Sequence, residues 1–264
     1  MLEKSTIYNA DCLDAMKELP DKSIDMILCD LPYAQTSSSW DVLIPFDALW
    51  KQYNRVIKDN GAICLTAKGK FLFQLVNSNL KDYRYEWIWD KNKGSNFAHA
   101  KRRPLNVHEY VVIFYKKQPT YNPQMTEGKP YTQTRLQESV TGIADNLSRH
   151  TTVSNGLRYP KSIIRTKGIA QRHIIHPTQK PLGLFEYLIK TYSNENDVVL
   201  DNCMGSFTTA VACDNLNRQW IGIEKEEKYC LMGQERINDN RKHLHLEEVS
   251  IHKEYLKNEE MDAC

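Results

Sequence analysis

The chain has 264 residues, 41% of them hydrophobic and 26% charged, with a formal net charge of +2. This composition fits one large soluble α/β domain carrying an insertion, and it excludes a chain too polar to bury a core. No apolar run approaches the roughly 18 residues that cross a bilayer, and the opening MLEKSTIYNAD lacks a signal-peptide pattern, so no membrane association and a cytoplasmic location are expected. Seven cysteines, an odd number without C-x-x-C pairing, predict reduced thiols and no metal site.

In chain order, Thr6 to Asn9 reads as a short strand, and Asp11 precedes the amphipathic pattern of Cys12 to Leu19. Asp11 suits a helix N-cap, and equally a strand-end acid that accepts from an amino group. Ile24 to Cys29 is a short buried strand, closed by Asp30-Leu31-Pro32-Tyr33. Pro32 pushes Leu31 toward an extended backbone, which presents its carbonyl beside the Asp30 carboxylate with the Tyr33 ring adjacent. Two acceptors and a π-face suit a flat group bearing an exocyclic NH2, such as an adenine lifted out of a duplex. A plain strand-to-loop turn with a core tyrosine fits the same four residues.

Phe46 to Ile57 has helical spacing that Asn60-Gly61 ends, Ala62 to Thr66 is a buried strand, and Phe71 to Leu80 is helical. Tyr85 to Trp89 and Glu109 to Tyr115 are aromatic and β-branched strands. Between them, positions 91–103 hold Lys91, Lys93, Lys101, Arg102 and Arg103 without an acid. Positions 146–181 hold seven more bases and no acid, whereas the segment from Glu224 onward has eleven acids against seven bases. Such segregation suggests a face for a polyanion; solvated basic loops are the bland alternative.

From 118 to 172 no period holds, and the stretch is long for a loop, so an inserted recognition element is expected there. Leu182 to Tyr192 is a helix, Asp197 to Asp201 a strand, Ala210 to Leu216 a helix, and Arg218 to Glu224 a strand ending in an acid. A helix from about Glu226 to Lys242 closes the domain, and 243–264 reads as a polar tail. Strand, Gly-containing turn, helix, strand ending in glutamate is half of a nucleotide-binding sheet. The turn lacks G-x-G-x-x-G and a Walker lysine, which disfavours dinucleotides and triphosphates. His176, followed by Pro177-Thr178, suits either a catalytic base or a loop held by hydrogen bonds.

Four of these segments together resemble one family. Asp30-Leu31-Pro32-Tyr33 is similar to the D-P-P-Y motif of amino-group DNA methyltransferases, and Asp201 to Thr209 (DNCMGSFTT) to their D-P-F-x-G-S-G-T-T cofactor motif. His176 to Pro181 resembles H-P-T-Q-K-P, and Asn9 to Cys12 the G-D-C segment before the catalytic strand. Catalytic motif first and cofactor motif last is the order of the beta group, and the match covers the chain apart from about 118–172 and the tail.

The resemblance implies a Rossmann-like, mostly parallel seven-stranded sheet with a permuted motif order. It divides the chain into a catalytic half (1–117), an inserted target-recognition region (118–172), a cofactor half (173–242) and the tail (243–264). It implies S-adenosylmethionine as cofactor, with Asp201, Cys203, Gly205, Ser206 and Thr208 on its methionine side and His176, Thr178 and Lys180 closing over it. Glu224 would take the ribose, and Asp11 with Cys12 the adenine side; Asp30 would also border the cofactor. Asp30, Leu31, Pro32 and Tyr33 would hold the target amine and stack on the flipped base.

The implied reaction is methylation of adenine N6 in double-stranded DNA, as in restriction-modification systems, since aspartate at the head of the motif marks adenine enzymes and serine cytosine-N4 enzymes. Cytosine N4, RNA or protein amides, and a catalytically weak DNA-binding relative are the alternatives. Lys101, Arg102, Arg103, Lys167 and Arg172 are the expected phosphate contacts, and a homodimer is expected because the family often forms one. Leu31, Asn202 and Phe207 depart from the motifs. Phe207 stands where the family has glycine, so a position needing positive φ there would weaken cofactor binding.

Overall fold

A short strand, β1 (Thr6–Asn9), opens the chain and runs into helix α1 (Cys12–Lys17), whose N-cap Asp11 accepts from the Leu13 N–H at 2.9 Å. There follow β2 (Ile24–Cys29), α2 (Phe46–Val56), β3 (Ile57–Ala67), α3 (Gly69–Ser78), β4 (Tyr83–Ser95) and β5 (Asn106–Phe114). A smaller unit carries β6 (Thr126–Glu127), β7 (Tyr131–Gln137), β8 (Ser148–Ser154) and β9 (Leu157–Arg158). The rest is β10 (Ile163–Arg165), α4 (Leu182–Tyr192), β11 (Val198–Asp201), α5 (Thr208–Asn215), β12 (Gln219–Glu224), α6 (Glu227–Leu244) and β13 (Ile251–His252). This is a computed structural model, and it describes residues 2–36, 38, 41–137, 148–166, 176 and 179–252.

Among the described residues the main sheet has nine strands in the order β10-β4-β5-β3-β2-β11-β12-β1-β13. β5 runs antiparallel to both β3 and β4, and the other pairings are parallel. Seven of these strands form the expected sheet, and the short β10 and β13 extend its two edges. The central strands are apolar on both faces because helices cover both. Ile27, Cys29, Ile63 and Leu200 pack with residues of α1, α2 and α3, while Met26, Leu28, Cys64 and Val199 pack with α4, α5 and α6.

Two boundaries differ from expectation. The smaller compact unit is Pro123–Lys161, not 118–172. Residues 163–165 leave the irregular segment to pair with Ile88–Asp90, a three-residue strand too short to show a period. Within the smaller unit, β6 pairs with β9 and β7 with β8, both antiparallel, and the Arg158 guanidinium lies over the Tyr131 ring at 4.7 Å. The expected polar tail likewise returns to the sheet, where Ile251 and His252 pair with Ile7 and Tyr8. Residues 253–264 lie outside the described residues.

The turn between β11 and α5 resolves the question raised by Phe207. Its backbone is left-handed, φ 59° and ψ 28°, so the position does require the conformation that glycine adopts freely. The ring, however, is fully buried in the core layer beneath α6. It occupies the space a Cβ at Gly233 would fill, so a glycine on α6 makes room for it. The strain at 207 is therefore offset by burial on the side away from the cleft described below.

We expect Phe207→Gly to destabilise the fold by a net amount of about 2–3 kcal/mol, because the lost aromatic burial exceeds the relieved strain. Gly233→Ala should also destabilise, by about 1–2 kcal/mol, although alanine is the better helix former. Chemical denaturation of the two variants checks both values.

Candidate active site and its cofactor turn

β2 and β11 are neighbours, but β2 continues outward to β3 and β11 to β12. Open α/β sheets bind ligands at the carboxyl ends of strands where the order diverges in this way. One cleft of about 1240 Å3 opens there. It is lined by the residues that follow β1, β2 and β11 together with Lys180, Glu109 and Glu224.

Asp30 follows the last residue of β2 and faces the cleft. Its Oδ1 accepts from the Thr66 hydroxyl at the end of β3 and lies 2.9 Å from the Tyr33 hydroxyl. Its Oδ2 pairs with the Lys180 ammonium. The Tyr33 ring stacks on Phe71 at 4.6 Å, and the ammonium groups of Lys68 and Lys180 stand 5.6 and 5.8 Å from its centroid. Leu31 buries its side chain in the core while bordering the cleft. Asp41 holds the loop after Tyr33, since its carboxylate accepts from the N–H groups of Ala34, Gln35 and Thr36 at 2.6–2.9 Å.

On the β11 side, Asp201 accepts from the Cys203 N–H at 3.0 Å and from the Thr209 hydroxyl. Gly205 has φ +49°, and a Cβ there would stand 3.6 Å from the His176 ring. Its N–H donates to Glu224 Oε2 at 2.8 Å, while Glu224 Oε1 accepts from the Glu226 N–H at 2.9 Å. Glu224 thus shapes the turn and also borders the cleft. Asn202, the other departure from the motif, is buried and accepts from the Tyr53 hydroxyl at 2.5 Å.

His176 packs edge-on against Tyr229 at 4.4 Å. Burial lowers its pKa; the Asp30 charge opposes this, and the Lys180 and Lys228 charges add to it. The ring packs over the Gly205 turn, the placement a loop-holding residue would have. Burial pushes the Cys29 thiol up to about 12, so it is inert as a nucleophile.

The structure gathers Asp11, Cys12, Asp30, Leu31, Pro32, Tyr33, His176, Lys180, Asp201, Cys203, Gly205, Ser206, Thr208 and Glu224 around this one cleft. Lys180, expected to close over a cofactor, lines the cleft and is paired with Asp30. Of the expected phosphate contacts, Arg103 lines the cleft and Lys101 and Arg102 are exposed on the same loop. Thr178, Lys167 and Arg172 lie outside the described residues. Lys91, counted with that basic run, is turned inward to Glu109 at 3.0 Å. The sequence reading missed Thr66, Asp41 and Glu109. Only Glu109 carried a signal, as a lone charge opening an otherwise apolar strand.

Among the carboxylates that border the cleft, Asp11, Asp201 and Glu224 stand near a turn whose Gly205 lets backbone approach closely. That donor set fits a ligand carrying both a cation and a ribose diol. A profile of the DNA methylase family matches residues 24–235. The chain belongs to the DNA methylase family. Its methyl donor is S-adenosylmethionine, for which the carboxylate-rich cleft is suited.

The methylase is 28% identical over 258 residues to the type II methyltransferase M1.MboII of Moraxella bovis, covering 87% of this chain and 95% of that protein. It is 27% identical to the DNA adenine methyltransferase YhdJ of Escherichia coli (strain K12), over 94% of this chain and 87% of that one. Among solved structures it resembles the M1.HpyAVI–SAM complex, with a TM-score of 0.61 and 24% identity over 88% of this chain and 98% of that one. It also resembles the PvuII cytosine-N4-specific DNA methyltransferase, with a TM-score of 0.63 and 17% identity over 95% of this chain and 96% of that one. Both structural likenesses concern the fold. Among the described residues, no helix is long and apolar enough to cross a membrane.

Burial pushes the Asp201 carboxyl up to about 6, against hydrogen bonds from Thr209 and the Cys203 amide. A folded-state pKa above the ordinary 3.8 means that ionising Asp201 opposes folding as pH rises through 6. A cationic ligand reverses that preference and releases the proton. Affinity for S-adenosylmethionine should therefore climb by up to about tenfold per pH unit below pH 6 and level off above it. Calorimetric titration from pH 5 to 8 in two buffers of different ionisation enthalpy checks both the slope and the proton release.

Proposed function

We propose that the methylase transfers a methyl group to the exocyclic N6 amine of an adenine flipped out of double-stranded DNA. The observation that carries this reading is the Asp30 carboxylate at the end of β2, sharing one cleft with the Gly205 turn and Glu224. S-adenosylmethionine, when bound, supplies the methyl group on a sulfonium. Asp201, Gly205, Ser206, Thr208 and Glu224 would hold it, with Asp11 and Cys12 toward its adenine.

The protein's own task is to make a poor nucleophile attack. The lone pair of an exocyclic amine is delocalised into its ring. Acceptors on both hydrogens, Asp30 and the Leu31 carbonyl, hold the NH2 group out of conjugation and fix its approach. Pro32 keeps the Leu31 backbone extended, and the Tyr33 ring, backed by Phe71, offers an aromatic surface to the base. No protein nucleophile takes part, in keeping with thiols that burial keeps protonated at Cys29 and Cys64.

Adenine over cytosine is supported by the aspartate at the head of the motif and by a relative named as a DNA adenine methyltransferase. Duplex DNA as partner is supported by Arg103 at the cleft and by Lys101 and Arg102 exposed beside it. We assign target recognition to the Pro123–Lys161 unit on the ground that it is a compact unit apart from the nine-stranded sheet and its helices. A homodimer rests on the family resemblance.

Labelled methyl transfer to duplex DNA, RNA and protein, followed by nucleoside digestion, should yield N6-methyladenine from DNA alone. N4-methylcytosine, or label in RNA or protein, would replace this reading. Asp30→Ala should lower kcat by about 10^2–10^4-fold and change cofactor affinity less than about tenfold.

A further inference from the structure

Lys180 is buried between two carboxylates, hydrogen-bonded to one and ion-paired at longer range with the other. Its ammonium bonds to Asp30 Oδ2, while Glu109 Oε2 stands 3.6 Å away. Glu109 opens the apolar part of β5 and is only 6% exposed. Its Oε1 accepts from Lys91 at 3.0 Å, with Lys68 at 3.7 Å, but its buried Oε2 has no hydrogen-bond partner. A buried charged oxygen left without a donor is costly, and in folded proteins such orphans call for an explanation.

Asp30 shows the complementary condition. Thr66 donates to its Oδ1, the Tyr33 hydroxyl is close to the same oxygen, and Lys180 holds Oδ2. Three protein donors already occupy the carboxylate, so a target amine arriving at Asp30 must crowd in beside the Lys180 ammonium on Oδ2 or displace a donor. Lifting Lys180 off Asp30 with no second acceptor to receive it would leave a bare buried ammonium, which is strongly unfavourable. Passing it to Glu109 exchanges one ion pair for another and leaves the charge of the cluster unchanged. The ammonium carries three N–H donors, and a shift of under about 1 Å closes the gap to an ordinary charge-assisted bond. Glu109 is ready to receive it: burial pushes its carboxyl up, but the charges of Lys180, Lys91 and Lys68 outweigh burial and hold it below the usual range.

We propose that Glu109 is a positioning residue that draws Lys180 off Asp30 when the target amine enters, freeing Asp30 Oδ2 to accept the amine hydrogen. Lys180 is then a latch on the catalytic carboxylate and Glu109 its catch. This rests on the reading of Asp30 as the acceptor of the target amine.

Two measurements test it, each with a different failure. In steady-state methylation of duplex DNA, Glu109→Gln should lower kcat by about 10–100-fold with the KM for S-adenosylmethionine nearly unchanged, because a neutral partner leaves Lys180 on Asp30. Adding Lys180→Met to that variant should restore at least about tenfold, since the latch itself is gone. A double variant as slow as Glu109→Gln, or a Glu109→Gln enzyme within about threefold of the parent, overturns the proposal.

The second readout needs no turnover. The Lys180 ammonium resonance in 1H–15N NMR, assigned by its loss in Lys180→Met, should shift when duplex DNA is added to the parent protein. A resonance that stays in place on DNA binding overturns the latch whether or not Glu109→Gln folds. If the parent transfers no methyl group, the methyltransferase reading falls, and the resonance still decides whether Lys180 moves.

Discussion

The parallel contact between β2 and β11 is the joint on which the active site depends. It consists of two register pairs, Met26 with Val199 and Ile27 with Leu200. Asp25 reinforces it, accepting from the Val198 N–H at 3.0 Å across 173 residues of chain. Without this joint the catalytic acid and the cofactor turn would belong to separate halves of the sequence. With it, Asp30 and Asp201 leave adjacent strands, and the ligands they face are brought into one cleft. The cost of closing so long a loop rises only slowly with its length, so a permuted chain order is compatible with a stable sheet.

Electrostatics gives the two sides of that cleft different characters. The β11 side presents Asp201 and Glu224, both pushed up by burial, around backbone amides of the turn. It is poised for a ligand that brings its own positive charge. The β2 side presents Asp30 and Glu109 interleaved with Lys68, Lys91 and Lys180, so its acids are already compensated. A neutral nucleobase can bind there without adding a charge, provided that the hydrogen bonds among these groups can be rearranged. Under the proposed reading, that contrast would let two ligands of different charge share one opening without competing for the same carboxylates.

Much of this arrangement was legible in the sequence, and what was not has physical reasons. Helices α2, α4 and α6 and strands β1, β2 and β11 announce themselves through apolar runs and periods that follow from burial on one or both faces. The motifs at Asp30 and Asp201 are contiguous, so their chemistry can be read from neighbours in the chain. Thr66, Asp41 and Glu109 act on Asp30 and its loop across distances in sequence that no local pattern records. The edge strands β10 and β13 are two or three residues long and take their form from the strand beside them, not from propensity. Phe207 was legible as a conformational problem, but its solution lies on another helix.

That solution has a consequence for how the sequence can change. Gly233 and Phe207 are two halves of one fit, and the order in which such a pair is substituted decides which intermediate bears the cost. Starting from a glycine at 207, the helix must lose its Cβ at 233 before an aromatic can enter the space. The reverse path first places a ring where a side chain already stands. Once both changes are made, neither reverts alone without leaving a void or a clash. The pair therefore changes more cheaply together than singly, and it holds the turn in place by a core contact, where glycine would hold it by backbone freedom alone.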